Sequence, residues 1–190
     1  MKNEYLEMYR QESPNNKIIK IDCADEYTGA LTEGGNLYVW GKNNQGQLGI
    51  GAGIGIDYTE SEKFPTSVLK PKEIKYLDFS CGENTMMMLD DNQLLHKTGW
   101  RIDYVPSIFQ ISKNIKQKFF FCGNSYYCMV SDDNKIYQWG SLFKQSSTEK
   151  TDLDMLPIKE NLFNGKEIIM MNGKFKVCGA LVRDETTSSV

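Results

Sequence analysis

The chain has 190 residues, 40% of them hydrophobic and 12% aromatic, which is enough apolar material for a sizeable folded core and too much for a disordered polymer. Its formal net charge is −3 with no Lys/Arg-rich block, so the electrostatic footprint of a nucleic-acid or anionic-membrane partner is missing. The first residues alternate charges, and no apolar run has signal-peptide or membrane-spanning character; the expectation is an intracellular protein, cytoplasmic before nuclear.

Residues 1–17 set Tyr5, Met8 and Tyr9 at helical spacing among charges, with Asn3 as N-cap, and predict an N-terminal arm or short helix. Pro14-Asn15-Asn16 ends it. Ile18, Ile19 and Ile21 open a β-run that closes at Cys23-Ala24. Two further runs, 27–32 and 37–40, flank the turn Glu33-Gly34-Gly35-Asn36 and predict a β-hairpin, which leaves through Trp40-Gly41 into a Gly/Asn/Gln loop.

This pattern returns down the chain at fixed spacing. From the small residue before each hairpin to the Trp-Gly position the step is 16 residues, at Ala24 to Trp40, Gly82 to Thr98 and Gly123 to Trp139. From each later proline to the next small residue it is 17, from Pro65 to Gly82, Pro106 to Gly123 and Pro157 to position 174, where Lys174 breaks the rule. An apolar residue stands seven beyond each anchor, at Leu31, Leu89, Val130 and Leu181, and Gly-Ala-Leu itself recurs at 29–31 and 179–181. Length varies only between the Trp-Gly position and the proline, which marks the loops. Each unit reads as four short β-runs, the fourth starting at the proline on an outer edge that tolerates a missing N–H. Apolar runs such as Met86-Met87-Met88-Leu89 and Phe119-Phe120-Phe121 suit strands packed between neighbouring sheets. The prediction is an all-β, partial (open) β-propeller of four-stranded antiparallel blades, approximately 18–70, 71–112, 113–162 and 163–190, the last incomplete.

Candidate chemistry is sparse, and the repeat register accounts for most of it. Cys23, Cys81 and Cys122 share one repeat position; with Cys128 and Cys178 they make five, an odd number spaced unlike a metal site, so reduced, buried thiols and no metal are expected. His96, the only histidine, stands where Tyr38 and Tyr137 stand in the other units and is expected to replace a packed aromatic, with no second member for a nucleophilic site. Asp90-Asp91 and Asp132-Asp133 fall in hairpin turns equivalent to Glu33-Gly34, which suits turn formation over general acid/base work. The glycine-rich stretch 46–55 carries neither a P-loop nor a GxGxxG pattern, so a mobile loop and no nucleotide cofactor are expected. Within the same insertion between Trp40 and Pro65, Ile50, Ile54, Ile56 and Tyr58 are apolar residues on a glycine-rich excursion that dock either on their own blade or on a partner protein; they are the candidate interaction residues.

The small anchor residue, Tyr38-Val39-Trp40-Gly41, Gln45-Gly46-Gln47-Leu48-Gly49 and the later Pro65 to Val68 together resemble the regulator-of-chromosome-condensation repeat, most fully in the first unit and with erosion over about 18–190. The resemblance implies a propeller that closes with about seven blades, of which these residues supply about three and a half. An open fan leaves strand edges and sheet faces bare, so protein partners are expected to cover its ends. The expected function is a non-enzymatic protein-interaction or structural subunit of a larger, multi-subunit assembly, with no small-molecule substrate. The resemblance also implies an alternative, guanine-nucleotide exchange on a small GTPase, and a third reading, a propeller fragment of a larger multidomain regulator such as a ubiquitin ligase.

Overall fold

The computed structural model describes residues 17–51, 61–99, 103–108, 115–124, 126–140, 156–157, 163, 166–174 and 177–184; the expected N-terminal helix lies outside them. The described residues hold fourteen β-strands and no helix, arranged in four sheets. The first sheet runs β1 (Ile18–Cys23), β2 (Tyr27–Thr32), β3 (Leu37–Lys42) and β4 (Ser61–Ser67), hydrogen-bonded in chain order. The second comprises β5 (Tyr76–Cys81), β6 (Thr85–Asp90), β7 (Leu95–Gly99) and β8 (Asp103–Ile108) in the same order. The third repeats it with β9 (Gln117–Cys122), β10 (Tyr126–Ser131), β11 (Ile136–Gly140) and β12 (Leu156–Pro157), and the fourth is the pair β13 (Glu167–Lys174) and β14 (Val177–Arg183). Neighbouring strands are antiparallel throughout, and β1, β5, β9 and β13 adjoin one another as the inner strands of a fan of blades. This is an open β-propeller.

The register agrees with the spacing in the sequence. Thr28 pairs with Trp40, Met86 with Thr98 and Tyr127 with Trp139, so the three landmarks share one place in successive blades. Cys23, Cys81 and Cys122 stand opposite Thr28, Met86 and Tyr127, and Gly173 takes that place in the fourth sheet, opposite Cys178. The outer strands depart from expectation: β4 and β8 begin before Pro65 and Pro106. Each is the last strand of its sheet, where N–H groups need no further ladder partner, so proline is tolerated in mid-strand.

The hairpins close by one device. Asn36, Leu94 and Lys135 donate their N–H groups to Thr32 Oγ1 (3.1 Å), Asp90 Oδ1 (2.8 Å) and Ser131 Oγ (3.1 Å), and Gly35, Gln93 and Asn134 supply the positive φ of each turn. Burial lies between sheets. Tyr27, Leu31 and Val39 on the front of the first sheet meet Tyr76, Phe79 and Met88 on the back of the second. Met87 and Leu95 meet Cys122 and Met129 at the next junction, and Cys128 and Val130 meet Ile168 and Met171 at the third. The run Met86-Met87-Met88 is wholly buried because β6 is covered on both faces, which is why it lacks the alternation of a half-exposed strand. Each such side chain contributes about 1.5–3 kcal/mol, so the junctions outweigh any surface ion pair.

Candidate interaction surface

The residues that carry reactive groups are used in packing. His96 pairs across the strands with Met88, as Tyr38 pairs with Ala30 and Tyr137 with Met129, so it does occupy the aromatic position. It also does something the tyrosines do not: its Nε2 lies 2.8 Å from Asp90 Oδ2, with both side chains almost wholly buried. Asp90 stands where Thr32 and Ser131 stand, its Oδ1 closing the turn through Asn92 and Leu94 N–H groups (2.9 and 2.8 Å) while Oδ2 is left for the histidine. Asp91 accepts from Lys75 N (3.2 Å), and Asp133 pairs with Lys135 and with Ser131, which hold its carboxyl below the usual range; both are turn residues. No cluster of three or more His, Cys, Asp or Glu with metal-binding geometry occurs among the described residues.

The described part of the glycine-rich loop, residues 46–51, is packed against the sheets. Asn43, Gln47 and Leu48 are buried, Leu48 N donates to Asn43 Oδ1 (3.1 Å), and Thr98 Oγ1 of the second sheet donates to Gln47 O (2.8 Å). Thr98 thus supplies a hydroxyl to the loop where the other blades carry tryptophan. Ile50 is half-buried against the core between the first and second sheets. Ile54, Ile56 and Tyr58 lie outside the described residues.

The expectation of five buried thiols needs correction: Cys81, Cys122 and Cys128 are buried, whereas Cys23 and Cys178 are exposed. Cys23 shares the repeat position of the first two, but no described sheet precedes it to cover it. Burial pushes the Cys81 and Cys122 thiols well up, so neither is a thiolate nucleophile at neutral pH. Cys128 is pushed from 9.0 up to about 12, first by burial and then by Cys178 beside it. An unfolded chain therefore loses this proton before the folded one does. The contribution of Cys128 to stability is expected to be level below about pH 9 and to fall as pH rises toward about 12; because Cys81 and Cys122 are pushed up as well, Cys128→Ala should make the alkaline slope shallower without abolishing it in urea titrations at successive pH values.

Lys174, the departure from the small-residue rule, has a partner 152 residues away. Its Nζ donates to both carboxylate oxygens of Asp22 (3.0 Å each) and to Cys81 O, tying the inner strand of the fourth sheet to those of the first and second. Asp22 also accepts from Cys81 N at 2.8 Å. Both side chains are partly exposed, so the tie is worth about 1 kcal/mol. Lys174→Met is expected to speed hydrogen exchange in β13 and β14 and leave β6 and β10 unchanged.

Among the described residues, two sheet faces stay bare. On the back of the first sheet Ile18 and Ile21 are 53% and 61% exposed; on the fourth sheet Val177 and Leu181 are 72% and 57% exposed. No sequence motif marks these faces, but they could have been found by asking which repeat positions lack a neighbouring unit.

The fold is thus that of an open β-propeller whose apolar junction faces remain uncovered at either end of the described fan. Models described as regulator of chromosome condensation (RCC1) repeat match residues 18–47 and 34–89 of the chain. The E3 ubiquitin-protein ligase HERC2 of Homo sapiens is 25% identical over 186 residues, a match covering 90% of this chain and 4% of the ligase. The RCC1-like G exchanging factor-like protein of Homo sapiens is 38% identical over 77 residues, covering 40% of this chain and 15% of that protein. Among solved structures, Prp20p from Saccharomyces cerevisiae shares the fold with a TM-score of 0.69 at 17% identity, covering 88% of this chain and 44% of Prp20p. The chain therefore spans less than half the length of each of these proteins.

Proposed function

We propose that the chain is a non-enzymatic interaction module that takes its place in a larger protein assembly through its bare sheet faces. The observation that carries this reading is the exposure of Ile18, Ile21, Val177 and Leu181 at repeat positions that adjoining sheets bury elsewhere in the fan. The ionisable groups with catalytic potential support it, since His96, Asp90, Cys81 and Cys122 are all enclosed in packing. The structural relative Prp20p is described by its binding to Gsp1p and histones, which suits protein partners for a fold of this kind. Purification of the tagged chain from its native source tests the proposal: stoichiometric protein partners, lost on Leu181→Arg, are expected. Recovery of the chain as a lone monomer, with neither another protein nor a second copy of itself, would overturn it.

A second reading, nucleotide exchange on a small GTPase, draws on the likeness to the G exchanging factor-like protein over 77 residues. Release of a fluorescent guanine nucleotide from small GTPases separates the two. No acceleration is expected under the interaction reading, and a catalytic acceleration would favour the second.

A further inference from the structure

The interaction reading leaves open what covers the two bare faces, and the junctions inside the fan specify it. Each junction is built from equivalent positions. On the front of a sheet stand Tyr27, Gly29 and Leu31 in the first blade and Tyr126, Cys128 and Val130 in the third, all buried by the sheet that follows. In the fourth sheet the same positions are Val177, Gly179 and Leu181, all exposed. On the back of a sheet stand Tyr76, Phe79 and Cys81 in the second blade and Ile168, Met171 and Gly173 in the fourth, again buried. Their counterparts in the first blade are Ile18, Ile21 and Cys23, all exposed.

Two details show that these faces have the makings of a junction. Gly29 exists as glycine to admit a neighbour: a Cβ there would lie 2.5 Å from the ring of Phe79 on the next sheet. Gly179 keeps the glycine, yet no atom lies within 4 Å of where its Cβ would stand, so the notch is present and empty. The second detail is polar. Asp22 Oδ2 accepts from Cys81 N (2.8 Å) and Ser80 Oγ from Cys122 N (3.1 Å), a side chain of one inner strand holding the backbone of the next. Asn172 occupies this latch position in the fourth sheet and is exposed, and Cys23, at the receiving position of the first sheet, turns its N–H to its own Asp22 Oδ1 instead (3.0 Å).

We propose that the occupant of both faces is a second copy of this chain, set head to tail. The front of the fourth sheet of one copy packs on the back of the first sheet of the other, with Ile21 seated over Gly179 and Asn172 latching Cys23. One pairing satisfies both faces at once, and repeating it in the opposite sense closes a ring of two. The inference rests on the interaction reading but names the partner.

Light scattering on the full chain and on two variants, Ile21→Arg and Leu181→Arg, tests it. The unmodified chain should be a dimer and each variant a monomer with an unchanged circular dichroism spectrum. Mixing the two variants should restore a dimer, because the mixed pair still has one junction with no arginine on either side. A monomeric unmodified chain overturns the proposal. So does a dimer abolished by only one of the variants, which would mean that like faces meet, or a mixture that stays monomeric. If a monomeric chain still captures a foreign protein that Leu181→Arg releases, the second-copy proposal fails while the interaction reading stands.

Discussion

Replacing His96 with phenylalanine is expected to destabilise the chain by about 3–5 kcal/mol, although the ring suits the pocket in size. The loss comes from Asp90. In the native protein its Oδ2 meets the imidazole at 2.8 Å in a site with almost no access to water, and the ring also lies edge-on to Tyr76, with centroids 5.8 Å apart. Phenylalanine would leave a buried carboxylate oxygen with no partner. The neighbouring blades indicate the remedy, since Thr32 and Ser131 close the same turn with a hydroxyl that leaves no second oxygen, and tyrosine stands at the aromatic position. The double variant Asp90→Thr with His96→Tyr should therefore recover most of the loss that either single change causes. A urea double-mutant cycle measures this; additive losses would mean that the two residues do not act as a pair.

Gly41→Ala and Gly99→Ala are expected to cost about 3–5 kcal/mol each, the sum of backbone strain and overpacking. These are the glycines of the Trp-Gly step, at φ of +110° and +107°. A Cβ on Gly41 would come within 2.3 Å of Glu26 O, and one on Gly99 within 2.1 Å of Asn84 O. Both obstacles are backbone carbonyls at the start of the paired strand, which cannot swing aside as a side-chain end can. Urea denaturation of Gly179→Ala gives the contrast, because the space beside that residue is open and the folded chain should lose little.

Such glycines explain why so much of the architecture is legible in the sequence. The period survives because the backbone at Gly41 and Gly99, the turn hydroxyl position and the inner-strand cysteine are each fixed by hydrogen-bond register, which tolerates little drift. What the spacing could not reveal are contacts between units. Lys174 reads as an irregularity at a small-residue position, and its reason, Asp22, is 152 residues distant. The His96–Asp90 pair was within reach: two repeat columns change together in one unit, Thr and Ser to Asp and Tyr to His. Exposure was the weaker inference, since Cys23 and Cys81 share a repeat position and differ only in whether a sheet lies in front of them.

If protein covers the bare faces in the working assembly, the reactivity of Cys23 registers it. In a Cys178→Ser variant it is the one exposed cysteine among the described residues. At high dilution Cys23 should react rapidly with a thiol reagent, while Cys81, Cys122 and Cys128 react only on unfolding. Incorporated in the native assembly, the same thiol should be slowed many-fold. Equal rates in the dilute chain and in the assembly would mean that the faces stay open to solvent there.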